Sequence, residues 1–243
     1  MSKCLNCGEN LIGHFCHNCG QKSNVSRLSI KSFFTDILDA VINLDSKYIR
    51  TFKALITNPG GFTKNYLSGQ RKSFAAPLKY FFIVLALNIS VTFILNRPAI
   101  QPVEIEWDSY TQFSNQLISL LTNLVMFFVI IPFTIGMKIS DRKQEYSFIE
   151  QYCFLLYISS QSILIFIFIQ LVLYMFGAVL DGPIEGVVWF VEFSFFYFWG
   201  YLKLSGKPRK TVLINAIISY LIGILIFLLI VIISGNIVQL FIA

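Results

Sequence analysis

From residue 78 onward the apolar positions form five long runs divided by short polar connections, at about 78–96, 117–137, 154–176, 187–203 and 212–233. A hydrocarbon core about 30 Å thick needs roughly 20 apolar residues at 1.5 Å rise, so each run can be tested by its length. The first and fourth are the shortest. None alternates with a period of two, as a barrel strand does, and a backbone in lipid must satisfy its own amides, so each run reads as a helix. Pro132 is placed to kink the inner end of the second.

Before residue 78 the period changes. Ile30, Phe33, Phe34, Ile37, Leu38, Val41 and Ile42 recur at helical spacing with Lys31, Asp36 and Asp39 opposite, which predicts an amphipathic helix starting near Ser29. A second begins after Asp45 and carries Ile49, Phe52, Leu55 and Ile56 beside Lys47, Arg50 and Lys53. It ends at the turn Asn58-Pro59-Gly60-Gly61. Such basic helices either lie in the headgroup layer, with Lys and Arg on anionic lipid, or pack on one another and on the cytoplasmic loops. Both readings stay open.

Composition sharpens the class. Hydrophobic residues make up 56% and charged residues 13%, against about 25% charged in soluble domains. That excludes a soluble enzyme, a disordered chain and a disulfide-rich secreted fold. The expected fold is an all-α integral membrane protein: a zinc ribbon over residues 1–24, cytoplasmic amphipathic and juxtamembrane helices over 25–77, and five transmembrane helices within 78–243.

Charge then orients it. Eleven Lys and Arg lie from Lys3 to Lys79, three in the connection 138–153 and four from Lys203 to Lys210, all on one side, whereas Arg97 stands alone on the other. Eighteen against one places the N-terminus in the cytoplasm and, after five spans, the C-terminus outside. The acidic residues Glu104, Glu106, Asp108, Asp181 and Glu185 fall on the outer side. No signal peptide is expected, since the first apolar run begins near residue 78. The only long external loop is 97–116.

Cys4, Cys7, Cys16 and Cys19 form two Cys-x2-Cys pairs, four thiolates at the spacing of a tetrahedral zinc site. Gly8 and Gly20 follow the second cysteine of each pair, where a residue without Cβ takes the positive φ that turns backbone amides toward sulfur. The reducing cytosol argues against two disulfides. His14 and His17 flank the third cysteine and are expected to be exposed, because four cysteines close the shell. A closed shell leaves no open position for water, so one structural zinc per chain is expected. Cys153 reads as a small packing residue.

The segment after the ribbon also carries a resemblance. Cys19-Gly20-Gln21, Leu44-Asp45, Arg50-Thr51, Asn58-Pro59-Gly60 and Tyr66-Leu67-x-Gly69-x-Arg71-Lys72, followed by Phe74 and Pro77, resemble an uncharacterised bacterial family of multi-span membrane proteins with a short N-terminal zinc ribbon. The resemblance covers about residues 4–85. That family usually shows Arg-Pro-Gly where this chain has Asn58-Pro59-Gly60, and Tyr where it has Phe74. It implies a bacterial inner-membrane location and brings no established activity. In physical terms Gly69 can end a short helix and Pro77 can open the first span. Arg71, Lys72 and Lys79 can hold phosphates of the inner leaflet, and with Tyr66 they form a candidate lipid or ligand contact.

Within the spans Glu192 is the one acid well inside an apolar run, a functional candidate by default, although its nearness to Gly186 sets it toward the outer headgroups. Asn88, Asn123, Gln161, Gln170 and Asn215 read as cross-helix bonds. Asn215, Ser219 and Gly223 form a small-residue contact face, within the monomer or between copies of a homo-oligomer. The aromatic residues read as lipid-facing or interfacial, with Trp189, Trp199 and Tyr201 near span ends. No paired acids or catalytic histidine motif lie in the spans, so no enzyme is expected. The leading reading is a non-enzymatic inner-membrane protein. Its ribbon and basic helices bind a cytoplasmic protein partner or anionic lipid, not nucleic acid, in assembly, regulation or envelope organisation. The alternative is a small-solute or ion transporter.

Overall fold

The computed structural model describes residues 3–24, 46–95, 127–140, 146–178, 180, 182–205 and 207–242. Beyond the ribbon the regular elements among these residues are all helices: α1 (Ser46–Thr57), α2 (Pro59–Leu67), α3 (Pro77–Ile94), α4 (Phe127–Ser140), α5 (Phe148–Met175), α6 (Gly182–Leu204) and α7 (Arg209–Ile242). The amphipathic helix expected from Ser29, the loop 97–116 and the first part of the run 117–137 lie outside the described residues.

Local chemistry sets the helix starts. The Asn58 side chain accepts the Gly61 N–H at 3.1 Å and Pro59 takes the first helical position of α2, where its missing N–H costs nothing. Pro77 opens α3 in the same way after an extended Ala76. At α5, Ser147 and Glu150 form a reciprocal capping box: Glu150 Oε2 accepts the Ser147 N–H at 2.7 Å and Ser147 Oγ accepts the Glu150 N–H at 3.3 Å. That box starts α5 at Phe148, ahead of the expected 154.

α5 is the central helix. Its residues from Tyr152 to Ile163 are buried, with α3 on one side and α6 on the other. α6 also packs on α2 and α7. Two crossings are close enough to exclude a side chain. A Cβ on Gly60 of α2 would sit 2.0 Å from the Gly200 carbonyl oxygen of α6, and one on Gly136 of α4 would sit 2.1 Å from the Ser219 oxygen of α7. The Ser219 and Gly223 face therefore meets α4 within the monomer. Tyr146 donates to the Leu204 carbonyl at 3.3 Å, Lys138 to the Tyr146 carbonyl at 3.2 Å, and Tyr157 to the Ala75 carbonyl at 2.6 Å. These bonds gather the starts of α3 and α5 and the ends of α4 and α6 at one end of the bundle.

Three helices are long and apolar enough to cross a membrane by length and composition: Pro77–Ile94, Phe148–Met175 and Arg209–Ile230. The expected five are not supported. α4 is a shorter apolar helix among the described residues, and α6 drops out because Glu192, Lys203 and its Tyr and Trp residues dilute the run. A second correction concerns the aromatic residues. Tyr157, Tyr197, Tyr201, Phe81, Phe154 and Phe193 are the bulkiest fully buried side chains, so many rings fill the core instead of facing lipid. Cys153 is buried, as a packing residue should be.

Candidate metal centre

The ribbon is two copies of one knuckle. Cys4-Leu5-Asn6-Cys7-Gly8-Glu9 and Cys16-His17-Asn18-Cys19-Gly20-Gln21 repeat the pattern Cys-x-Asn-Cys-Gly-x. Their backbones repeat as well. The Gly8 N–H donates to the Cys4 carbonyl and the Gly20 N–H to the Cys16 carbonyl, both at 2.8 Å. The Cys4 N–H reaches the Glu9 carbonyl at 2.8 Å, and the Cys16 N–H reaches that of Gln21 at 2.7 Å. One isolated bridge closes each knuckle, between Lys3 and Asn10 and between Phe15 and Lys22. Both turns require glycine, with φ of 78° at Gly8 and 69° at Gly20.

The sulfurs meet across the knuckles. Cys4 Sγ lies 3.6 Å from Cys19 Sγ and Cys7 Sγ 3.6 Å from Cys16 Sγ, and all four ligand atoms fall within 4.8 Å of one another. A disulfide needs about 2.05 Å, so these are not bonded pairs. Four thiolates about 2.3 Å from a tetrahedral zinc stand about 3.8 Å apart. The donor set fits a metal ion. Backbone hydrogen bonding from Cys7 prevails over desolvation and holds the Cys4 thiol at about 7. The Glu9 backbone pulls Cys7 down, but desolvation and the thiols of Cys19, Cys16 and Cys4 push it up to about 12. Crowded thiols that resist ionising together are what a cation stabilises. His14 and His17 are exposed and outside the cluster.

The ribbon rests on the turn between α2 and α3. Gln21 Nε2 donates to the Gly69 carbonyl at 2.7 Å, and Gln21 Oε1 accepts the Lys72 N–H at 3.2 Å. Asn6 Nδ2 donates to Ser73 Oγ at 3.0 Å. Leu5 covers Gly69, whose φ is 124° and where an added Cβ would stand 2.6 Å from Leu5 Cδ1. Sequence reasoning missed this interface, although Gln21, Gly69 and Lys72 lie in Cys-Gly-Gln and Gly-x-Arg-Lys, two of the motifs that carry the resemblance.

Residues 45–88 match a family described as "Protein of unknown function (DUF3667)". The matched stretch takes in α1, α2, the turn and the first part of α3, and it begins after the four cysteines. No curated protein and no solved structure gives a significant match.

The proposed lipid or ligand residues take different places. Tyr66 is buried, its ring 5.6 Å from that of Tyr157 and 6.4 Å from that of Phe62. The Arg71 guanidinium stands 5.9 Å over the Tyr66 ring. Arg71 also donates to the Tyr66 carbonyl at 3.3 Å and to the Leu67 carbonyl at 3.5 Å, capping the end of α2. Lys72 is exposed and Lys79 half-buried. Tyr66 and Arg71 thus share a contact, while Lys72 supplies its backbone to the ribbon.

On α1 the buried residues are Thr51 and Leu55, whereas Ile49, expected on the apolar face, is exposed. Thr51 Oγ1 donates to the Lys47 carbonyl at 2.8 Å and accepts the Ala75 N–H at 3.0 Å, tying α1 to the start of α3.

Inside the bundle some polar atoms pair and others do not. Tyr197 and Ser219 share a hydrogen bond of 2.5 Å, Ser194 bonds to Tyr220, and Gln170 donates to Glu185 at 3.2 Å. Among the described residues, both side-chain polar atoms of Gln161, both of Glu192 and the Ser159 hydroxyl are buried without a partner. Because α6 starts at Gly182, Glu192 lies about 15 Å along it at 1.5 Å per residue, deeper than counting from Gly186 suggests.

Proposed function

We propose that this chain is a non-enzymatic, multi-pass protein of a bacterial inner membrane whose zinc-loaded ribbon and basic juxtamembrane helices bind a cytoplasmic protein partner or anionic lipid, in assembly, regulation or envelope organisation. The observation that carries this reading is the placement of the ribbon. A four-cysteine module held on the α2–α3 turn leaves Ile12 and Phe15 exposed, as a rigid knob presented to a partner would. Zinc is the metal the donor set favours, since four thiolates in a closed shell suit a structural zinc.

The topology follows from where charge gathers. Lys79, Lys138, Lys203 and Arg209 stand at the end of the bundle where α3, α5 and α7 begin and α4 and α6 finish, which supports an inward-facing basic end. The packing of α6 on both α5 and α7 supports a crossing of α6 as well, beyond the three helices that length and composition single out.

A photo-crosslinker at residue 12 or 15, activated in native membranes, is expected to give one discrete protein adduct that disappears in the Cys4→Ser variant. A smear of adducts, or the same adduct from Cys4→Ser, sinks the partner reading. In the same cells an Asp181→Cys variant should label with an impermeant thiol reagent and a Ser205→Cys variant should not. Equal labelling of both contradicts the proposed crossing of α6.

The second reading, passage of an ion or small solute, is favoured by the orphaned atoms of Gln161, Ser159 and Glu192. If they serve only packing, Gln161→Met keeps the volume, removes an unsatisfied amide and should raise the unfolding temperature, by an amount corresponding to about 1–3 kcal/mol. Transport predicts instead that Glu192→Gln abolishes proton- or substrate-driven flux in proteoliposomes while assembly is retained.

A further inference from the structure

We infer that the turn formed by residues 69–73 is a receptor for the metal-loaded ribbon, so that cation occupancy at the four cysteines sets whether the junction of α1, α2, α3 and α5 is clamped or released. The inference rests on the metal reading above and adds what the bound cation controls.

The docking face is drawn from both knuckles. Leu5 and Asn6 come from the first and Gln21 from the second. Gln21 is only 6% exposed, and both ends of its amide are used, one on the Gly69 carbonyl and the other on the Lys72 N–H. A side chain that caps two backbone groups at once tolerates little displacement of its own backbone. Its position relative to Leu5 is therefore what the interface depends on.

Little besides sulfur fixes that position. The buried apolar residues of the ribbon are Cys4 and Cys16, so it has no apolar core of its own. Its backbone bonds and bridges each stay within one knuckle. The side-chain bonds that join the knuckles run from sulfur to sulfur, Cys4 with Cys19 and Cys7 with both Cys16 and Cys19. When a cation joins those sulfurs, Leu5, Asn6 and Gln21 form one surface. Without it only weak thiol contacts join the knuckles, and the two halves of the surface move independently.

The receptor is wired into the helices. Residue 69 follows the end of α2, where Arg71 returns to the Tyr66 and Leu67 carbonyls. Phe74 packs edge-on against Phe62 at 4.9 Å. Ala75 gives its N–H to Thr51 of α1 and takes the Tyr157 hydroxyl of α5 on its carbonyl. A ribbon bound to residues 69–73 thus limits the movement of the segment through which α1 and α2 are joined to the membrane helices.

The test is hydrogen exchange on the full chain in nanodiscs, read over residues 66–76, with zinc bound and after removal by a chelator. Chelation is expected to speed exchange at Lys72 and its neighbours by roughly tenfold or more. A Gln21→Ala variant should retain one zinc per chain yet show the fast exchange in both states. Fast exchange confined to residues 3–24 after chelation overturns the coupling, and so does a protected turn in a chain that purifies without metal. An unchanged turn in Gln21→Ala overturns the docking itself, whatever the metal content.

Discussion

Changing Cys7 or Cys16 to Ser is expected to lower bound zinc from one atom per chain to under about a tenth, with the ribbon unfolding as the metal is lost. Structural zinc contributes about 10–16 kcal/mol of apparent binding free energy in small modules, and in the zinc-loaded ribbon proposed above that would be most of the folding free energy. The ribbon has two isolated bridges and no apolar core beyond the cysteines themselves, so little else holds it. Cys7 and Cys16 are neighbours across the knuckles, so losing either removes a thiolate and one of the two close sulfur contacts. Elemental analysis of freshly purified protein, with wild type and a His17→Ala variant run beside it, checks the expectation. His17→Ala should keep its zinc, since His17 is exposed and outside the cluster. Equal zinc in all the proteins, or none in the wild type, removes the metal centre from the account.

A second large loss of stability should follow from Gly60→Val, far from the four cysteines. A Cβ at residue 60 would stand 2.0 Å from the Gly200 oxygen and 2.9 Å from the Leu204 nitrogen, and both are helix backbone that cannot rotate away. α2 must lift off α6, and the packing of Phe62 and Tyr66 around Tyr157 loosens with it. Overpacking of this kind costs about 1–3 kcal/mol where side chains can adjust, and more when backbone is the obstacle. Gly186→Ala is the matched control, because nothing lies within 4 Å of its added Cβ and its cost should stay within about 0.5 kcal/mol. Thermal unfolding in detergent separates them. A Gly60→Val protein as stable as Gly186→Ala would mean that the close crossing of α2 and α6 does not exist.

The helical class, the four-cysteine cluster and the helix after Asp45 were legible because each rests on a local rule: run length, cysteine spacing and apolar periodicity. The start of α5 was legible too, in Ser147 and Glu150 ahead of an apolar run, but hydropathy alone overlooks a cap made of polar residues. What a single sequence hides is which polar and aromatic groups meet across helices. The ring of Tyr157 is surrounded by Phe62, Tyr66 and Tyr80 from α2 and α3, and nothing near residue 157 announces it. The span count failed for a related reason. Run length does not tell whether a diluted helix such as α6 has protein on its flanks. Spacing offers Tyr66 and Arg71 as lipid or ligand groups, because a basic, aromatic segment beside a membrane usually serves that role, and it does not show the contact between them. Here they bond to each other and to the end of α2.

The near-duplication of the knuckles carries a danger of mistaken orientation. A module with two-fold pseudosymmetry can, in principle, be rotated half a turn and offer its other half to the same seat. In that reversed pose Glu9 would take the place of Gln21, and its carboxylate, with no hydrogen to give, would confront the Gly69 carbonyl oxygen. His17 would replace Leu5 against Gly69, setting a polar ring where an apolar side chain now covers the glycine. Two differences between the hexapeptides, Glu9 for Gln21 and His17 for Leu5, make the seating one-way, and the symmetric metal cage need not supply any directionality of its own.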